Sequence, residues 1–256
     1  MKTIIVDETT EKRFRRRSII AFIIFFTCVG AAWISWKWLY NQPLDNSIRG
    51  GIQKPLRKVL DMNMNVYSGL YSTQHLVKEY PKSMAAPKAR VNGNVGMDED
   101  LFDTATWKLT VIRAAGDTLL LTLNDLKKLH KIDVVHNFKC IEGWSQITWW
   151  SGVRFSEFAE KYKLTKECQM KFASLVTPDE EYYVGIDMPS MMHPQTILCF
   201  ELNGKPLPMN QGYPLRLIIP VKYGVKNIKR IGTISFHNDR PADYWAEKGY
   251  DYYTGL

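Results

Sequence analysis

The residue with the clearest potential for chemistry is Cys140, which ends an apolar segment and is followed by Ile141, Glu142, Gly143 and Trp144. A cysteine thiolate is a soft donor that suits metals able to accept such ligands. A free cysteine is, however, more often a buried apolar residue with no chemical role. The surrounding residues must therefore decide between a metal ligand and a packing residue.

A second feature is the stretch 205–230, which is rich in basic residues and contains no acidic residue. Its cations are Lys205, Arg216, Lys222, Lys226, Lys229 and Arg230. Fixed cations and backbone amides are the groups that hold phosphate in proteins. The stretch therefore predicts a site for an anionic ligand.

Several common sites are absent from the sequence. It contains no phosphate-binding loop, no dinucleotide-binding glycine turn and no His-Glu-x-x-His zinc helix. The absence of Cys-x-x-Cys argues against a zinc ribbon, a thioredoxin site or a c-type haem. A serine hydrolase using Ser145 remains an alternative, although Ile147 stands where a nucleophile elbow requires glycine. A disulfide between Cys168 and Cys199 also remains open.

Two motifs in register resemble the oxidoreductase molybdopterin-binding domain of the sulfite oxidase family. The resemblance is greatest to the branch that contains the periplasmic protein-methionine-sulfoxide reductase catalytic subunit. The first motif is Cys-Ile-Glu-Gly-Trp-Ser at 140–145, placed at a strand end. The second comprises Asn-Gly at 203–204, Gly-Tyr-Pro-Leu-Arg-Leu at 212–217 and Pro-Val-Lys-Tyr-Gly-Val-Lys at 220–226, with a further lysine at 229.

This resemblance implies a molybdenum-molybdopterin cofactor whose metal is bound by Cys140. It implies cofactor contacts from Asn92, Val95, Gly96, Cys140, Thr177, Gln211, Arg216, Asn227, Ile228 and Lys229. Trp144 is expected to act with Cys140 in catalysis. The family's threonine falls at Val176 or Thr177, and the sequence leaves this choice open. Gln211 departs from the family's asparagine or histidine but still offers a hydrogen-bonding amide.

The implied reaction is a two-electron oxidation or reduction, expected to be oxygen-atom transfer on a small-molecule or protein-bound substrate. Sulfite-oxidising relatives carry basic residues shortly after the metal cysteine, whereas Ile141 and Glu142 follow it here. An S-oxide or N-oxide is therefore favoured as the substrate. Sulfite oxidation and a non-catalytic binding or scaffold module remain alternatives. Because the chain has no haem motif, the resemblance implies a membrane cytochrome or a quinone-linked subunit as the electron partner.

The N-terminal region indicates a membrane anchor. No residue of 19–36 is charged, and the segment 18–40 is long enough to span a bilayer. Basic residues precede it: Lys12, Arg13, Arg15, Arg16 and Arg17. The positive-inside rule then predicts a single pass through the bacterial cytoplasmic membrane, with the remainder in the periplasm. Alternatives are a cleaved signal peptide and a twin-arginine export signal. The net charge of +8 invites a nucleic-acid hypothesis, against which the anchor argues.

Four segments are expected: a basic cytoplasmic tail (1–17), the anchor (18–40), a linker with a short helix near 55–60 (41–90), and the molybdopterin-binding domain (91–256). Periodicity and turn residues predict a hairpin over 107–123 and strands at 132–140, 170–176, 197–202, 215–219 and 229–236. Short helices are expected after Asn124 and Ser156 as caps. The predicted class is α+β, a sulfite-oxidase-type fold with a mixed sheet and short helices.

Overall fold

A computed structural model describes residues 8–45, 52–70, 75–91, 93–97 and 102–256. Asn92, a predicted cofactor contact, lies outside the described residues. The chain forms two compact units, the first including residues 8–45 and 52–59 and the second including Leu60–Leu256.

The first unit is dominated by helix α1, Glu8–Tyr40, which is long and apolar enough to cross a membrane by length and composition. Its most apolar window has a mean hydropathy of 2.2. Strands β1 (Leu44–Asp45) and β2 (Ile52–Gln53) pair antiparallel. Helix α2, Lys54–Leu70, begins here and is longer than the short helix predicted near 55–60.

The second unit contains two five-stranded sheets. The first sheet has the order β10-β9-β6-β5, with β11 also paired to β9. Its strands are β5 (Lys131–Lys139), β6 (Ser145–Arg154), β9 (Ile197–Leu202), β10 (Lys205–Pro206) and β11 (Arg216–Ile218). The second sheet has the order β4-β3-β12-β7-β8. Its strands are β3 (Leu109–Ile112), β4 (Thr118–Leu121), β7 (Phe172–Val176), β8 (Tyr183–Asp187) and β12 (Thr233–His237). Only β3 and β12 pair parallel among these described strands.

The remaining helices of this unit are short. The α-helices are α3 (Leu123–Lys127), α4 (Phe155–Lys161) and α5 (Met188–Met191). Single 3₁₀ turns occupy Lys82–Met84, Glu167–Gln169, Met209–Gln211, Gly224–Lys226 and Ala246–Lys248. Mixed sheets with a few short helices match the predicted α+β class, which is confirmed.

Strands β9 and β11 divide their residues between two apolar cores. Successive side chains of a strand point to opposite faces. Accordingly, Leu198, Phe200 and Leu217 enter the main core, whereas Cys199 belongs to a smaller second core. By the same alternation Arg216, which is opposite Cys199 in the register, faces away from the main core. The strand period thus directs a cation toward the second core.

The predicted hairpin over 107–123 is confirmed as β3 and β4, but the helix caps differ from the prediction. Thr122, rather than Asn124, caps α3, and it forms a capping box with Asp125. Helix α4 already begins at Phe155, so Ser156 lies inside it. Strands β6 and β8 were not predicted.

Residues 75–91 form hydrogen bonds with the first sheet. The amide of Tyr80 donates to the carbonyl of Val135 (2.9 Å), and that of Ala86 donates to Ile147 (2.9 Å). The side-chain amide of Gln195 also accepts from the amide of Val77 (2.8 Å) and donates to its carbonyl (2.9 Å). The limit between linker and domain at 90–91 stays a prediction, and these contacts favour an earlier start of the domain.

Candidate active site

Cys140 occupies the turn that joins β5 to β6. Its amide donates to the carbonyl of Trp144 (2.9 Å), and the amide of Gly143 donates to the carbonyl of Cys140 (3.1 Å). Burial raises the pKa of the Cys140 thiol. The amides of Glu142 and Ile141 donate to the sulfur and thereby lower this pKa. The turn therefore holds one buried sulfur among fixed backbone donors, a suitable setting for a thiolate ligand.

The Cys140 side chain lines a cavity of about 110 Å³, built from loops at the ends of several strands. Its lining residues are Gly93, Asn94, Val95, Cys140, Ile141, Glu142, Tyr182, Gly224, Val225, Asn227, Lys229, Trp245 and Tyr250. Four predicted site residues, Val95, Cys140, Asn227 and Lys229, thus meet at one cavity.

Arg216 is a fully buried cation beside this cavity. Its Nη1 donates to the carbonyl (3.2 Å) and Oε1 (2.8 Å) of Gln211, and Nη2 donates to the carbonyl of Asn227 (3.2 Å). Its Nε has no hydrogen-bond partner, and the salt bridges of the described residues do not include Arg216. Burial lowers the pKa of Arg216 to about 10, so it stays charged at neutral pH. A buried charge without a counter-ion is costly, which favours an anionic ligand here.

The Arg216 guanidinium also stacks on an aromatic ring. Its carbon lies 4.5 Å from the ring centroid of Trp150. The indole Nε1 of Trp150 donates to Oγ1 of Thr148 (2.7 Å), and both residues are buried. Trp150 therefore supports the position of Arg216 from the second core.

Lys229 supplies a second cation to the cavity. Its Nζ donates to the carbonyl of Gly93 (2.8 Å). Burial, together with the charge of Arg216, lowers the pKa of Lys229 to about 7. Gly212, at φ 98°, lies against it, because a Cβ there would be 2.9 Å from the Lys229 Cβ. An anion bound beside Lys229 would favour its charged form.

Gly96 and Thr177 are neighbours. A Cβ on Gly96, which has φ 73°, would lie 2.7 Å from Cγ2 of Thr177 and 2.8 Å from the Tyr182 Cβ. The Thr177 hydroxyl accepts from the Tyr182 amide (3.1 Å), and Tyr182 lines the cavity. The sequence left the family's threonine at either Val176 or Thr177. Val176 is the last residue of β7, and Thr177 is the one whose side chain lies against Gly96.

Trp144 and Ile228 are further predicted site residues outside the cavity lining. Trp144 stacks on Phe138 at 5.9 Å, and its Nε1 donates to Glu142 Oε2 (2.8 Å). The Arg90 guanidinium lies 4.8 Å from the Trp144 ring. Ile228 is buried in the main core, and its carbonyl accepts from the Leu217 amide (3.0 Å). Trp144 is therefore connected to the cavity through its hydrogen bond to Glu142, which is a lining residue.

Sequence reasoning missed part of the cavity wall. Tyr182, Val225, Trp245 and Tyr250 were not predicted, and the rings of Trp245 and Tyr250 lie 5.1 Å apart at 74°. The concentration of aromatic residues in 244–253 was a usable signal for the last two. Tyr182 lies between acidic residues and a strand and carries no comparable signal.

The structure also bears on the alternatives. Cys168 and Cys199 are both free, so the suggested disulfide is absent. Ser145 is the first residue of strand β6 and follows the turn of the β5–β6 hairpin. A nucleophile elbow requires a serine between a strand and a helix, so its geometry is missing here. Among the described residues there is no group of three or more His, Cys, Asp or Glu that could hold a metal. Any metal at Cys140 would then depend on ligands from a cofactor.

A buried thiol and two buried cations around one cavity define a domain that binds an anionic cofactor carrying a metal. The chain belongs to the oxidoreductase molybdopterin binding domain family, whose model matches residues 95–245. The predicted family, enzyme class and molybdenum-molybdopterin cofactor are thereby confirmed.

Individual proteins of known name are also similar. A putative protein-methionine-sulfoxide reductase subunit YedZ1 of Azospira oryzae is 33% identical over 205 residues, covering 80% of this chain and 77% of that protein. The protein-methionine-sulfoxide reductase catalytic subunit MsrP of Campylobacter jejuni is 31% identical, covering 60% of this chain and 58% of that protein. The sulfane dehydrogenase SoxCD of Paracoccus pantotrophus is a structural neighbour at a TM-score of 0.49 and 17% identity, covering 54% of this chain and 40% of that one.

Proposed function

We propose that this oxidoreductase is anchored to a membrane and removes the oxygen atom of an S-oxide or N-oxide in a two-electron reduction, for which a molybdenum cofactor would supply the redox chemistry. The observation that carries the proposal is the position of the Cys140 thiol in the same cavity wall as Lys229, with Arg216 buried alongside. The names of the similar proteins from Azospira oryzae and Campylobacter jejuni support a sulfoxide as the substrate.

The proposed roles follow from the contacts of each residue. Cys140 would bind the metal, because its sulfur is buried among backbone donors in a fixed turn. Arg216 and Lys229 bind the anionic end of the cofactor, while Asn227 and Gln211 hold the guanidinium in place. When bound, the cofactor supplies the two-electron chemistry at the metal.

Further contacts are proposed for the other end of the cavity. Val95 and Gly96 bring backbone close to the cofactor, and Thr177 fixes the position of Gly96. Ile228 contributes through its backbone, since its side chain is in the main core. Asn92 stays a proposed contact from the family motif. Trp144 acts through Glu142, whose carboxylate it holds at 2.8 Å.

The wall of the cavity beside the thiol favours an S-oxide or N-oxide over sulfite. Apart from the residues assigned to the cofactor, the cavity lining includes Ile141, Val225, Trp245 and Tyr250, which are apolar or aromatic, and the carboxylate of Glu142. Such a wall suits the organic groups of a sulfoxide, whereas a doubly charged oxyanion gains nothing from it. Reduction of a sulfoxide consumes two electrons and two protons and releases water, so an electron donor is required. We propose a membrane cytochrome or quinone-linked subunit as this partner.

The location is proposed from helix α1. The helix carries basic residues before its apolar window and none of its described residues 19–36 is charged. The domain would then lie on the periplasmic side of the cytoplasmic membrane. A reporter that is active only in the cytoplasm, fused after Leu256, should be inactive. Activity of that reporter would contradict the topology.

The central test is Cys140→Ser in a host that makes the cofactor, with Cys168→Ser as the matched control. A hydroxyl is a harder and less acidic donor than a thiol, so Cys140→Ser should lose turnover of sulfoxides with an artificial electron donor. Cys168 is half-buried and away from the cavity lining, so its variant should keep activity. Elemental analysis should find about one molybdenum per wild-type chain. Full activity in Cys140→Ser would refute the metal-ligand role, and metal-free wild-type protein would favour the binding-module alternative.

A further inference from the structure

Helix α2 exposes an apolar stripe. Val59, Met62, Val66 and Leu70 are spaced by three or four residues, and their exposed fractions are 50, 58, 57 and 75%. Residues at this spacing lie on one face of a helix. Contiguous exposed apolar surface of this kind marks an interaction site.

Arg240 contacts the opposite side of α2. Arg240 Nη1 donates to Asp61 Oδ1 (2.8 Å), and its Nη2 lies 3.4 Å from Met64 Sδ. At about 100° per residue, Asp61 and Met64 lie well away from the direction of Val66. A cavity of about 480 Å³ separates this part of α2 from residues of the C-terminal segment, including Tyr253 and Leu256. The helix is therefore attached through Arg240 but incompletely packed.

The position of α2 in the chain identifies the covering surface. Helix α1 ends at Tyr40 and α2 begins at Lys54, so only residues 41–53 join them. Strands β1 and β2 pair within this connection, and the Lys54 amide donates to the carbonyl of Pro43 (3.0 Å). The aromatic residues near the end of α1 are Trp33, Trp36, Trp38 and Tyr40, as expected at a membrane interface. The start of α2 must then lie close to the same interface.

The charges of α2 agree with a lipid surface. Lys54 and Lys58 stand in its first turns, and no acidic residue precedes Asp61 in the helix. Basic side chains near a membrane are attracted to anionic headgroups. A helix with an exposed apolar stripe and basic residues in its first turns is the type that lies in the interfacial layer.

We propose that α2 lies on the surface of the membrane that α1 crosses, with Val59, Met62, Val66 and Leu70 in the boundary between headgroups and acyl chains. The inference rests on the proposed membrane crossing by α1. The Arg240 contact then couples the catalytic domain to a helix that binds lipid. A membrane electron donor would meet the domain in a restricted set of orientations and at a raised effective concentration.

The experiment uses the full chain in vesicles of phosphatidylethanolamine and phosphatidylglycerol that contain a lipid with a photoactivatable acyl chain. After illumination, labelled peptides are mapped by mass spectrometry. We expect label in α1 and also in residues 59–70. Label in α1 without label in α2 would overturn the proposal while leaving the anchor intact. Label in neither helix would contradict the anchor itself.

A double variant assigns the face. Met62→Asp with Val66→Asp should lower the labelling of α2 about tenfold or more, because burying each native side chain is worth more than a factor of ten in an equilibrium constant. Labelling of α1 should not change. The control is Leu120→Asp, which changes an apolar residue of β4 that is 57% exposed, and it should keep the wild-type labelling of α2. Unchanged α2 labelling in the double variant would refute the stripe as the lipid contact.

Discussion

Gly212 connects the backbone to the two cations of the site, and Gly212→Ala tests that connection. The residue follows the turn Met209–Gln211 with φ 98° and ψ 28°. An added Cβ would lie 2.9 Å from the Lys229 Cβ, 3.1 Å from the Lys229 Cα and 3.3 Å from the Arg216 Cβ. The nearest of these atoms are backbone or the first atoms of side chains, so they cannot move without shifting the strand or loop.

The magnitude has two parts. A left-handed backbone costs a residue other than glycine about 1–2 kcal/mol. Overpacking a buried position costs a further ~1–3 kcal/mol. The matched control is Gly116→Ala in the β3–β4 turn, where φ is 85° and nothing lies within 4 Å of the added Cβ. The control carries only the backbone cost, so Gly212→Ala should be less stable than Gly116→Ala by about 1–3 kcal/mol.

Urea denaturation of both variants measures this difference, and molybdenum content measures its effect on the site. Displacement of Lys229 or Arg216 should lower the metal content of Gly212→Ala, while Gly116→Ala should match the wild type. Equal stability and equal metal content in the two variants would refute the argument that Gly212 positions the cations.

Three further predictions concern neighbouring buried groups. Arg216→Ala should reduce pterin content, because charge-assisted hydrogen bonds contribute roughly 1.5–3 kcal/mol, and unchanged content would mean that the motif is wrongly assigned. Trp150→Leu should weaken cofactor retention about tenfold through loss of a desolvated cation–π contact, whereas Trp149→Leu should not, as measured by dialysis and metal analysis. Burial, with the charge of Arg216, lowers the pKa of His136 from 6.5 to about 3, so the unfolded chain binds an extra proton between these values and stability is lost as the pH is lowered through that window. His136→Phe should flatten this fall in a pH series of denaturation curves, and the exposed His130→Phe should leave it unchanged.

The sequence predicted the chemistry better than it predicted the surrounding structure. Cys140 and the basic stretch 205–230 could be predicted because a motif places particular residue types at fixed spacing. The strand period then predicts that Arg216 faces the second core. Strand β8 was missed because three successive residues, Val184, Gly185 and Ile186, are buried, so the segment shows no alternation of polar and apolar residues, and a glycine stands in its middle. Trp245 and Tyr250 reach the cavity from a C-terminal loop whose path no periodicity describes.

Both faces of strand β11 have a structural role, which limits insertions and deletions near this strand. Its residues alternate between the main core, which takes Leu217, and the face that carries Arg216. Because a shift of one residue exchanges the two faces of a strand, a single insertion or deletion between Gly212 and Arg216 would turn a leucine toward the proposed cofactor site and bury a guanidinium among aliphatic side chains. Substitutions can accumulate there one at a time, but gaps cannot. Length changes should instead collect in exposed turns such as 113–117, where an added residue leaves both faces of the neighbouring strands in place.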